Sequence, residues 1–203
     1  MKIKNIILDL GGVLLNLNYQ LTIDAFTKLG KEDFQSLYTQ ANQSDLFNLF
    51  EKGEISGEEF VKGLKSYLPE STTDKQIIDA WNAMLLDLPK ERLDFLMDLK
   101  SKYPTVLLSN TNTIHLDFFH NQLNKVYGEK SLAPYFNEVY FSCDMGMRKP
   151  DAEIFEALCE KEGFNPKETL FIDDSIQHIE GAKSIGIQAH HLDVENDNVI
   201  RLV

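Results

Sequence analysis

Apolar positions along this chain follow two rhythms. Five short runs have strand length and composition: "IKNIILDL" (3–10), "TVLLSN" (105–110), "EVYFS" (138–142), "TLFIDD" (169–174) and "IQAHHL" (187–192). Between them lie segments with apolar residues every three or four positions, which predict helices over 90–103, 115–127, 151–163 and 176–186. Strand–helix alternation of this kind predicts an α/β fold, a Rossmann-like doubly wound parallel sheet with helices on both faces.

The first connection breaks the alternation. Between Asn16 and Pro89 no run reads as a strand. The stretches "YQLTIDAFTKLG" (19–30), "DFQSLYTQ" (33–40), "SDLFNLFEKG" (44–53), "GEEFVKGLKSYL" (57–68) and "DKQIIDAWNAMLLDL" (74–88) are amphipathic instead. A βα crossover needs about a dozen residues, so this segment is an insertion large enough for a helical bundle. The expected organisation is a core of 1–16 and 89–203 interrupted by a helical cap, 17–88. Trp81 and the phenylalanines of the insertion are expected in the bundle core.

Composition narrows the partners. The 203 residues, 43% hydrophobic and 26% charged, are ordinary for a folded globular protein. A formal net charge of −12 argues against a nucleic-acid partner, which needs a basic face. Cys143 and Cys159 have neither disulfide-framework nor zinc spacing and are read as reduced structural thiols. The start, "MKIKNIILDLGGVLLNL", imitates a signal peptide, but Asp9 interrupts the apolar run and no A-x-A site follows. No run approaches membrane-spanning length, so the expectation is a cytoplasmic protein with no membrane partner.

Ligands of open parallel sheets bind at the carboxyl ends of the strands. There the sequence places Asp9 after the first strand, Ser109 and Asn110 after the second, and Asp173, Asp174 and Ser175 after the fourth. Lys149 lies in "GMRKPDAEIF", after the third. Each alone has a plain structural reading: a lone Asp is usually a turn former, and "DDS" opening a helix is capping chemistry. Together on one rim they say more. Carboxylates about 4 Å apart repel by about 1–4 kcal/mol per pair, and a hard cation such as Mg²⁺ removes that cost. The Ser109 hydroxyl and Lys149 then have an anionic client, a phosphate. Backbone N–H groups at Gly11 and Gly12 are candidates to hold its oxygens. A carboxylate beside Mg²⁺ and a phosphoryl group is placed to be a nucleophile.

"ILDLGGVL", "LLSN", "GMRKPDAEIF" and "LFIDDSIQHIEGA", in this order, resemble the four motifs of the haloacid-dehalogenase-like (HAD) hydrolase superfamily. The insertion after the first resembles that family's helical cap. The resemblance implies a phosphatase acting on a small phosphorylated metabolite, with a sugar phosphate as one candidate. Asp9 would form an aspartyl-phosphate, Ser109 and Asn110 would bind the transferring group, and Lys149 would neutralise nucleophile and phosphate. Asp174, with Asp173 close by, would hold Mg²⁺ together with Asp9 and the carbonyl of Gly11. A 2-haloacid dehalogenase, which needs no metal, and a non-catalytic phospho-ligand-binding or protein-binding member are the competing readings. Paired acids at 173–174 speak against the first, and the presence of every other motif residue speaks against the second.

Gly11 departs from the family pattern. HAD phosphatases have D-x-D, whose second Asp protonates the leaving group; here the tripeptide is Asp9-Leu10-Gly11. Losing a general acid costs about 10²–10⁴-fold, which slows such an enzyme without silencing it. His178, one helical turn past Asp174, is expected first as a helix-face residue and second as a replacement donor. Asn112 is either a rim contact or a helix cap, and the glycines of "EKGEISGEEF" (51–60) suit a loop reaching into the cleft. With no acid at position 11, single-turnover rates on phosphate monoesters should fall steeply as leaving-group pKa rises. A flat dependence would mean that another group protonates the leaving oxygen.

Overall fold

The computed structural model describes residues 2–30 and 45–202. The amphipathic stretch 33–40 lies outside them. Five strands, β1 (Asn5–Leu8), β2 (Thr105–Ser109), β3 (Glu138–Phe141), β4 (Thr169–Asp173) and β5 (Gln188–His191), form one sheet in the order β3-β2-β1-β4-β5. All neighbours are parallel. The chain runs from β1 out to β2 and β3, then returns to β4 and β5 on the other side. The order therefore reverses beside β1, and the crevice opens there.

Side-chain parity explains why both faces are covered. Ile6, Leu8, Leu107 and Ile172 point into one apolar layer, closed by Leu93, Leu96 and Leu99 of α5 (Lys90–Lys102) and Phe119 and Leu123 of α6 (Thr113–Tyr127). Ile7, Val106, Leu108 and Phe171 point into the other, closed by α8 (Ala152–Glu162) and α9 (Ile176–Ser184). Successive strand residues face opposite ways, so strands buried on both sides must be apolar throughout. The doubly wound parallel sheet is present as predicted. One helix was not: α7 (Ser142–Met145) is a single turn with no periodicity to announce it.

The insertion contributes α1 (Tyr19–Lys28), α2 (Leu46–Glu51), α3 (Gly57–Lys65) and α4 (Asp74–Asn82). Capping boxes at Ser56/Glu59 and Thr73/Gln76 start α3 and α4, each worth about 1 kcal/mol. These helices enclose their own cluster, in which Phe50 stacks on Phe60 at 4.2 Å and Phe47 on Trp81 at 5.4 Å. The two chain segments leading in and out pair with each other: Asn16 N–H donates to Asp87 O and Leu86 N–H to Asn16 O, beside an antiparallel bridge between Leu17 and Leu85.

Several contacts among the described residues seat the inserted helices on the sheet. The Ser142 hydroxyl in α7 donates to Glu51 O at 2.6 Å, and Arg148 pairs with the Glu51 carboxylate at 3.0 Å. Gly53 has φ of 68°, and a Cβ there would meet Cys143 O at 2.1 Å, so the turn after α2 can approach α7 only without a side chain. The His115 ring also stacks on Trp81 at 5.0 Å.

His115 also fixes a proton. Asn112 caps α6 by accepting from His115 N–H through Oδ1, so its Nδ2 is the donor toward His115 Nδ1. Nε2 then carries the hydrogen and donates to Trp81 O at 3.2 Å. Burial lowers the imidazole's pKa to about 4. A depressed histidine takes up its proton more readily in the unfolded chain, so stability falls as pH drops below the unfolded value. The loss is complete near pH 4 and amounts to roughly 3 kcal/mol. Denaturant unfolding between pH 7 and 4 should show a steeper decline for the wild type than for His115→Gln; equal slopes would refute the assignment.

Candidate active site

The C-terminal ends of β1, β2 and β4 converge on one side chain. Lys149 is fully buried, and its ammonium donates to Asp9 Oδ1 at 2.7 Å, Asp173 Oδ2 at 2.6 Å and Leu108 O at 2.9 Å. All three ammonium hydrogens are thus used, and the Phe171 ring lies 5.3 Å from Nζ. Asn110 fixes the lysine's backbone from both sides: its Nδ2 donates to Lys149 O at 2.8 Å, and its Oδ1 accepts from Lys149 N–H at 2.9 Å. The Lys149–Pro150 peptide is cis.

One positive charge faces two carboxylates, so the charges distribute unevenly. Burial presses the ammonium toward neutrality, but Asp9 and Asp173 hold its pKa above the ordinary value. Asp173, although buried, is held down to about 2 by Lys149 and His178. Burial pushes Asp9 up to about 6 against the pull of Lys149, with Asp173 adding to the rise. A second positive charge would relieve Asp9.

Asp9, Asp173 and Asp174 each offer a carboxylate oxygen within 4.8 Å of the others. That oxygen set suits a hard divalent cation. The three are not equivalent. Asp173 Oδ1 accepts from Ser175 N–H at 2.8 Å, and both its oxygens lie 3.0 Å from His178 Nδ1, while Oδ2 takes Lys149. Its lone pairs are committed. The Asp174 carboxylate instead rests on Gly12, where a Cβ would stand 2.1 Å from Oδ2. Gly12 has φ of 73°. Its N–H, expected to face a phosphate, donates to Leu15 O at 2.9 Å. This corrects the role expected of that amide: glycine is needed here because the carboxylate lies against it.

Around these groups is a polar cleft of about 290 Å³ lined by Asp9, Gly11, Asn110, Asp174, Ser175 and His178 from the sheet domain, and by Tyr19 and Glu51 from the insertion. His178 is therefore a cleft residue, correcting the helix-face expectation: its Nδ1 donates to Asp173 and orients the ring. Ser109 is buried beneath; among the described residues its hydroxyl makes a long 3.5 Å contact to Asn110 O. Glu51, the last residue of α2 and the first of the stretch 51–60, lines the cleft, and burial raises its carboxyl's pKa despite Arg148. Asn112 proves to be a cap. Position 11 accepts a side chain in backbone terms, but a Cβ would meet Leu17 Cδ1 at 2.9 Å. Leu17 and Tyr19 carried no motif signal and were missed; Arg148 lies inside the motif around Lys149 but was given no role.

A buried Asp–Lys–Asp bridge thus lies at the mouth of a doubly wound sheet, with a third acid, Asp174, beside it. The sequence model of the haloacid dehalogenase-like hydrolases matches residues 3–186. The chain belongs to that family. It is 31% identical over 186 residues, 92% of this chain and 90% of the other, to a D-ribitol-5-phosphate phosphatase of Bacteroides thetaiotaomicron. A crystal structure of a HAD family enzyme from the same organism superposes with a TM-score of 0.90 at 36% identity, covering 100% of this chain and 98% of that one. A further structure of that enzyme, in complex with magnesium and inorganic phosphate, gives 0.86 at 38% identity and 96% coverage of each chain.

The packing of Asp174 on Gly12 makes a sharp mutational demand. In Gly12→Ala the methyl group should drive the carboxylate aside and strain a left-handed residue by about 1–2 kcal/mol. Hydrolytic activity should fall by about 10²-fold or more while circular dichroism stays native. Wild-type turnover in this variant would show that Asp174 need not lie where it does.

Proposed function

We propose that this protein is a Mg²⁺-dependent phosphomonoesterase of small phosphorylated metabolites, working in the cytoplasm through an aspartyl-phosphate on Asp9. The observation that carries the reading is the buried Lys149 bridge between Asp9 and Asp173, with Asp174 left free beside it. Asp9, Asp174 and the Gly11 carbonyl would hold Mg²⁺, which supplies positive charge for the nucleophile and the transferring phosphoryl group. Asp173 stands behind, fixing Lys149 and His178.

Asp9 attacks phosphorus in line with the ester oxygen; the P–O bond to the alcohol breaks as the Asp9 O–P bond forms, and the departing alkoxide takes its proton from water. Lys149 would keep the nucleophile ionised and in place, and the Ser109 hydroxyl and Asn110 would supply donors to the phosphoryl oxygens. Water then cleaves the acyl phosphate, returning Asp9 and inorganic phosphate. The inserted helices act as a cap, closing over the cleft on the paired segments at Asn16–Asn18 and 84–87 to exclude bulk water. Two free cysteines and, among the described residues, no helix long and apolar enough to cross a membrane fit a cytoplasmic setting.

Phosphate release from D-ribitol 5-phosphate, the compound named for the B. thetaiotaomicron relative, and from other small phosphate esters tests the reading. EDTA should abolish it, and Asp9→Asn and Asp174→Ala should each reduce it by at least about 10³-fold with the fold intact. Full activity in EDTA, or halide release from 2-haloacids instead, would overturn it.

A further inference from the structure

A second cavity of about 300 Å³ lies between the inserted helices and the sheet domain. It adjoins the polar cleft, and the two share Gly11, Leu17, Tyr19, Glu51 and Asn110 as walls. A phosphate ester held in the polar cleft for attack by Asp9 would direct its ester oxygen toward the border of the two compartments, with the second one open to whatever that oxygen carries. Its size is at the lower end of ordinary small-molecule pockets.

The apolar walls of this chamber include Leu17, Ile23, Phe47, Trp81, Met84 and Leu85. Polar groups set among these apolar walls are engaged within the protein, while Glu51, Ser109 and Asn110 line the end toward the polar cleft. Thr22 Oγ1 donates to Trp81 O at 3.3 Å and accepts from Met84 N–H at 3.1 Å. Asn112 and both nitrogens of His115 are engaged with each other and with Trp81 O. Among the described residues, the buried lining atoms without a hydrogen-bond partner are Trp81 Nε1 and, at the mouth shared with the polar cleft, Glu51 Oε2, which Arg148 pairs as an ion at 3.0 Å. A polyol carries a hydroxyl on nearly every carbon, and burying one without a partner costs about 1–3 kcal/mol. An alkyl chain has no such cost.

Resting on the phosphatase reading, we propose that this chamber is the leaving-group site, that it selects phosphate monoesters of apolar alcohols over those of polyols, and that Leu17 is a specificity-determining residue. Leu17 reaches into the space next to Gly11, where a side chain at position 11 would have to sit. The leaving oxygen thus meets a methyl group of the insertion on that side and an apolar chamber beyond it. Position 11 lacks its acid and the adjoining wall is hydrocarbon; one packing arrangement accounts for both.

The test compares n-propyl, n-butyl, n-pentyl and n-hexyl phosphates with D-ribitol 5-phosphate at fixed Mg²⁺. These are all primary alkyl esters, so leaving-group acidity varies little across the alkyl series. We expect kcat/KM to rise about three- to fourfold per added CH₂, mostly through KM. Hexyl phosphate should exceed ribitol 5-phosphate by at least about tenfold, and Leu17→Asn and Met84→Gln should flatten the rise. An independent readout is Trp81, the only tryptophan in the chain: 1-hexanol should shift its emission saturably and ribitol should not. Preference for ribitol 5-phosphate, or no dependence on chain length, would overturn the proposal and leave the phosphatase reading standing. Absence of phosphate release from every ester would overturn the phosphatase reading, and the emission shift would still decide what the chamber binds.

Discussion

One ammonium group organises this molecule. Lys149 Nζ, inaccessible to solvent, spends its three hydrogens on carboxylates from two strands and a carbonyl from a third. Desolvating such a charge costs several kcal/mol, offset only if every hydrogen finds an acceptor and the counter-charges stay ionised. That requirement fixes β1, β2 and β4 relative to one another at their carboxyl ends. It also leaves one negative charge in excess, since two carboxylates face a single lysine. The imbalance falls on Asp9, the group that benefits from a cation and from a phosphoryl acceptor.

The loop carrying Lys149 is held by the same economy of donors. Asn110 satisfies both the N–H and the C=O of the lysine, and Arg148, one residue earlier, reaches the Glu51 carboxylate of the insertion. Removing one partner from such a buried set costs about 3–5 kcal/mol, because the other is left uncompensated. Electrostatics at the nucleophile and docking of the inserted helices are therefore coupled through adjacent residues. His115 adds a neutral counterpart on the opposite wall, where ring stacking and a directed N–H join α6 to α4.

Much of this was legible in the sequence. The central strands β1, β2 and β4 were readable because they are apolar on both faces, and five strand-length runs separated by helical periodicity leave few arrangements. Asp9, Lys149 and Asp174 were readable because they recur at strand ends in a fixed order. Less legible were roles that depend on which lone pairs remain free. Asp173 and Asp174 are adjacent and chemically identical. Yet one is saturated by Lys149, His178 and Ser175, and the other lies open against Gly12.

The sequence by itself determined the layered sheet, the inserted helical segment and the set of groups that meet at the rim, since these follow from hydrophobic period and local order along the chain. Tertiary structure alone decided what fills the space beside Gly11, that the Gly12 amide turns inward to Leu15, and that His178 faces the cleft. It also decided that an apolar chamber adjoins the nucleophile. The reason is physical: whether a donor is free, or a cavity apolar, depends on partners distant in the chain, such as Leu17 against Gly11 and Thr22 against Met84. Periodicity records which face of an element is buried, and carries no information about which atom it meets there.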